Sequence, residues 1–108
     1  MHKPLKVGDS HYDSMAAATR EARRILHASE PGTEIVGSDA TFVLSLLAAR
    51  AEKLEEIGDR PIVRVRREWE TNYEGPSRTV CFVVDLADRT SIDFSFPKAI
   101  SILADRAA

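Results

Sequence analysis

The chain has 108 residues, 44% of them apolar and 30% charged, which suits one globular domain with a single modest core and excludes a disordered or fibrous class. Its formal charge of −2, from 17 acidic against 15 basic residues, excludes a molecule-wide basic field, so any nucleic-acid contact must rest on a local patch. One cysteine excludes an intrachain disulfide, no run approaches a membrane span, and residues 1–6 lack the apolar stretch of a signal peptide, so the expected setting is cytoplasmic.

In chain order, Leu5 and Val7 followed by Gly8-Asp9 and then His11-Tyr12 read as a short strand, a turn and a partial return strand. Asp13-Ser14 offers an N-cap. Met15, Ala18, Ala22, Ile25 and Leu26 then recur at spacings of three and four, the stripe of an amphipathic helix whose other face carries Arg20, Arg23, Arg24 and His27. Glu30-Pro31-Gly32 ends that helix, because proline has no amide to donate and glycine tolerates the reversal. Phe42, Val43, Leu46, Leu47, Leu54 and Ile57 predict one long helix over roughly residues 39–57, stopped by Gly58.

Residues 61–70 alternate as a half-exposed strand, with Val63, Val65 and Trp69 on one side and Ile62, Arg64, Arg66 and Glu68 on the other. Residues 71–77 read as a loop. Residues 79–86 are apolar on both faces, as a central strand would be, and 87–90 turn the chain. Ile92, Phe94 and Phe96 alternate with Ser91, Asp93 and Ser95, and Pro97 suits the first turn of a final helix anchored by Ile100 and Leu103. The order predicts a single α+β domain over residues 1–108. Its expected form is an antiparallel three-stranded meander, with two helices before it and a C-terminal helix, the helices packed mainly on one face.

The chemistry-bearing patterns are few. His2, His11 and His27 are scattered and no Cys/His spacing suits a metal, and no glycine-rich phosphate loop occurs, so neither metal nor cofactor is expected. Cys81 sits within an apolar strand, where a thiol behaves as a small hydrophobe, and no carboxylate pair shows a buried partner. No catalytic residue is expected, and the chain reads as a non-enzyme.

Arginine carries the most information. Arg60, Arg64, Arg66 and Arg67 fall within eight residues and Arg78 begins the paired strand. Arg64 and Arg66 share a strand face at about 7 Å, near the spacing of successive phosphates, and Trp69 and Tyr73 lie beyond for base stacking. The bland alternative is a solvated face with cross-strand pairs to Glu68 or Asp85 and Trp69 in the core. Arg20, Arg23 and Arg24 form a second candidate patch. Asp93, Ser95 and Lys98 also invite two readings. One is a phosphate site at the helix start; the other is Ser95 as a cap, with Asp93 paired to Lys98 or an arginine.

Cys81-Phe82, Asp93-Phe94-Ser95, Lys98 and Ile100 resemble the C-F … D-F-S-x-x-K-x-I ending of the DCL (defective chloroplasts and leaves) or DeCL-domain family, which has small bacterial and phage members. Gly8, Tyr12, Ser14 and Ile25-Leu26 resemble its opening, and Asp39, Phe42, Leu46-Leu47 and Ile57-Gly58 its middle. Departures are Val80 before Cys-Phe, where the family often has arginine, Arg50 in place of histidine, and Asp88-Arg89 in place of an Asp-Gly turn. The resemblance implies work near RNA, since plant members are linked to ribosomal RNA maturation and to a transcription machine, and it implies no established reaction. The expected function is therefore a module binding RNA or an RNA–protein machine through Arg64, Arg66, Arg78, Trp69 and Lys98. The alternative is a protein-interaction or oligomerisation module, docking through a strand edge or the exposed side of the 39–57 helix.

Overall fold

A computed structural model of the chain describes residues 4–70 and 79–107. Among them the elements are β1 (Leu5–Val7), β2 (Ser10–Tyr12), α1 (Met15–Leu26), β3 (Glu34–Ile35), α2 (Gly37–Leu47), α3 (Ala51–Ile57), β4 (Ile62–Trp69), β5 (Val80–Leu86), β6 (Ser91–Phe94) and α4 (Phe96–Ala107). β1 and β2 form a hairpin of their own, and β3-β4-β5-β6 form an antiparallel sheet in that order. The α+β class and the β4-β5-β6 meander are as the pattern predicts, but the sheet has a fourth strand.

That strand, β3, is two residues long and too short to show a period. It exists because of its neighbour: the Arg67 amide donates to the Thr33 carbonyl at 3.1 Å, and the Gly32 amide donates to the Arg67 carbonyl at 2.6 Å.

One face of the sheet builds the core. Val65, Phe82, Val84, Leu86, Ile92 and Phe94 are buried with Ile25, Leu26, Val43, Leu46, Leu47 and Ile100 from the helices. Fully burying a side chain of this size contributes about 1.5–3 kcal/mol. α1 begins where its cap places it, since Ser14 Oγ accepts from the Ala17 amide at 3.1 Å. Its stripe buries Ala18, Ala22, Ile25 and Leu26, and α1 packs against α4, which buries Ala99, Ile100 and Ala104.

The single helix expected over 39–57 is two helices. At Arg50 the backbone leaves helical geometry, with φ −97° and ψ 85°. The departure aims the guanidinium inward. Nη1 donates to the Ser95 carbonyl at 2.9 Å, while Nε and Nη2 donate to Glu52 Oε1 at 2.8 and 2.6 Å. A buried cation with satisfied donors outweighs local helix propensity here.

β4 departs from a plain alternation. A register irregularity between Ile62 and Arg64 lets Ile62 pack against the core and turns Val63 outward, 61% exposed, against its expected place beside Val65.

Candidate functional site

The expected arginine face is a closed network. Arg64 Nε lies 2.7 Å and Arg66 Nε 2.9 Å from the same Asp85 Oδ2, and Arg66 Nη1 reaches Glu68 Oε2 at 2.8 Å. Ser91 Oγ donates to Asp85 Oδ1 at 2.5 Å. Burial by itself would raise the Asp85 carboxyl, but hydrogen bonds from Arg66, Ser91 and Arg64 outweigh it and bring the pKa down to about 2. By register Glu34, Glu68, Asp85 and Asp93 share this face with Arg64 and Arg66, so its strand residues sum to an acidic surface. Arg78 and Tyr73 lie outside the described residues.

The rest of the arginine cluster scatters. Arg60 turns to Asp88 Oδ2 and Thr90 Oγ1, each at 3.0 Å, bracing the β5–β6 turn. Arg67 points to the opposite side of the sheet and is buried, with Nε and Nη2 on the Ile25 carbonyl and Nη1 on Thr33 Oγ1. Its shared parity with Val65 was the available signal, masked by the habit of placing arginine in water.

Residues 93–98 make a braced corner. Lys98 Nζ approaches Glu52 Oε1 at 3.9 Å, in place of Asp93, and the Ser95 carbonyl is held by Arg50. A cleft of about 330 Å³ opens beside them, lined by Arg50, Lys53, Glu70, Cys81, Asp93 and Ser95 among others. Burial first, then the carboxylates of Asp93, Glu70 and Glu68, push the Cys81 thiol up to about 11. A thiol so protonated is a poor nucleophile. Phe82 is wholly buried and Phe94 nearly so; both serve the core. Among the described residues no group of three or more His, Cys, Asp or Glu could hold a metal ion.

The second patch divides. Arg24 is engaged by Glu21 and by Asp39, the latter at 2.8 Å. Arg20 and Arg23 are exposed and make no ion pair among the described residues. Arg23 and His27 line a groove of about 550 Å³ with Trp69 and an apolar lining from Leu26, Val80 and Phe96. Here two predicted contact residues meet from different patches, Trp69 of β4 and Arg23 of α1. Four other surface clefts each include Glu or Asp among their lining residues; among the described residues this groove includes neither.

The fold and grooves define a small α+β domain with a mixed helix-and-sheet core and a surface recess whose described lining residues include no carboxylate. The chain belongs to the family described as "Protein of unknown function (DUF3223)", which matches over residues 23–100. That match overturns the resemblance to the DCL family, whose short motifs are largely core, cap and turn positions that an α+β domain of this shape requires for packing alone. None of the curated proteins matches the chain. A solution NMR structure of an uncharacterized protein from Rhodospirillum rubrum is similar in fold, with a TM-score of 0.75 at 18% identity, covering 92% of this chain and 89% of that one. No helix among the described residues is long and apolar enough to cross a membrane.

Proposed function

We propose that this DUF3223 domain is a non-enzymatic, cytoplasmic module that binds RNA or an RNA–protein assembly, and that the groove between α1 and Trp69 carries the contact in place of the arginine strand. The supporting observation is the composition of that groove: an aromatic ring, apolar lining and basic side chains, with no carboxylate among its described lining residues to repel a phosphate. On the strand face, by contrast, a phosphate would have to draw Arg64 and Arg66 away from a buried carboxylate, leaving Asp85 uncompensated. With Arg20 and Arg23 as the phosphate contacts, the logarithm of affinity should fall with the logarithm of salt at a shallow slope, roughly −1.4 for a single strand. Fluorescence polarisation of a labelled oligoribonucleotide at low salt tests this. Arg20→Ala with Arg23→Ala should weaken binding, and Arg64→Ala should leave it unchanged. Absence of any binding at low salt overturns the proposal.

A protein-interaction reading is favoured by a different observation. Val36 and Val63, 67% and 61% exposed, lie with Leu44 along one groove beside β3. Sedimentation at rising concentration separates the two, because self-association through that surface would appear without RNA.

A further inference from the structure

We infer that the α1–Trp69 groove accepts one unstacked base of a single strand, with the adjoining backbone phosphates lying along the basic stripe of α1. The inference rests on the RNA reading above and specifies its ligand. Arg20 and Arg23 stand at i and i+3 on α1, neighbours about 5–6 Å apart at Cβ, and His27 follows at the helix C-cap. Together they lead into the groove, where Arg23 and His27 join Trp69, Val80 and Phe96 in the lining. Trp69 is 37% exposed, so part of its side-chain surface meets solvent. At about 550 Å³ the recess is larger than a planar base needs, and a flat apolar ligand gains there by leaving water.

A duplex offers phosphates to the arginines but keeps its π-faces stacked, so it meets only half of this surface. A single strand can turn a base into the groove while its phosphates stay on Arg20 and Arg23. The site therefore selects single strands over duplexes, and selects nucleic acid over polyanions that lack bases.

Trp69 is the single tryptophan of the chain, so its emission reports on this groove. The experiment titrates the full chain with oligouridine, with an RNA duplex of equal length and with inorganic polyphosphate, following tryptophan emission and, in parallel, polarisation of the labelled nucleic acids. The expected result is saturable quenching by oligouridine, with duplex and polyphosphate weaker by tenfold or more and without quenching. Trp69→Leu should lower affinity for oligouridine roughly tenfold, the scale of one stacked base. Arg23→Gln, on an exposed helix position, should lower it while circular dichroism stays unchanged. Binding of oligouridine with no change in emission, or equal affinity for the duplex, overturns the inference and leaves the RNA reading standing. Failure of every nucleic acid to bind overturns both.

Discussion

The guanidinium of Arg67 donates from both Nε, at 3.2 Å, and Nη2, at 3.0 Å, to the backbone carbonyl of Ile25 in the last turn of α1. Its remaining arm holds Thr33 Oγ1 at 2.8 Å. One side chain thus closes the end of a helix, places a cation at its negative pole and fixes the approach to β3. Arg67→Ala should cost about 2–4 kcal/mol, because it leaves a buried carbonyl unpaired and a cavity behind. Urea denaturation measures the loss. Arg67→Lys should recover only part of it, since an ammonium cannot span both acceptors in the guanidinium geometry.

Asp85 gives the fold an acid limit. Its carboxyl is lowered from 3.8 to about 2 in the folded chain, so its contribution is complete above pH 3.8 and is lost as pH falls through 2. A difference of that size amounts to about 2 kcal/mol. Asp88, also brought to about 2 by bonds from Thr90 and Arg60, loses its contacts in the same window. Asp85→Asn should lower stability at neutral pH and flatten the decline between pH 3.8 and 2. Denaturation midpoints of both proteins across that range test the sign.

The β5–β6 turn stores strain at Arg89, a non-glycine residue with φ 72°. The Leu86 amide to Thr90 carbonyl bond at 2.8 Å and the Arg89 amide to Leu86 carbonyl bond at 3.0 Å require that geometry. Arg89→Gly keeps those bonds and removes a penalty of about 1 kcal/mol. Because glycine also gains freedom in the unfolded chain, which offsets part of that gain, thermal unfolding should show a midpoint raised by no more than about 4 °C.

Cys81 should be slow to modify. With its thiol near 11 and half-covered on the sheet, a disulfide reagent at pH 8 should react far more slowly than with a free thiol, and faster as pH rises toward 11. A rate at pH 8 equal to that of a free thiol would contradict the assigned environment.

Much of this fold is legible along the chain, for local reasons. Ser14 and the alanine–isoleucine stripe specify α1, alternation specifies β4 and β6, a run apolar on both faces specifies β5, and Pro97 falls within the first turn of α4. The failures share one cause. β3 pairs with Val65 and Arg66 of β4, its approach held by Arg67 bonds to Gly32 and Thr33, and the long helix breaks at Arg50, whose Nη1 donates a hydrogen bond to the Ser95 carbonyl 45 positions later. Both depend on contacts between distant segments, which no local period encodes. The candidate site follows the same rule. Trp69 and Arg23 are each readable as contact residues, but only the packing of α1 beside the end of β4 puts them in one groove. Conversely, the carboxylates that occupy Arg64 and Arg66 come from β4 itself and from the facing strand, where register decides whether a charge is offered outward or answered within.

The strands at the two margins of the main sheet, β3 and β6, are two and four residues long. Open amide rows that short offer little template for a strand from another molecule, and the chain leaves each margin at once into a helix. The main sheet thereby offers little purchase for the runaway edge pairing that seeds fibrils. Crowding many copies together should bring side chains into contact and not backbones.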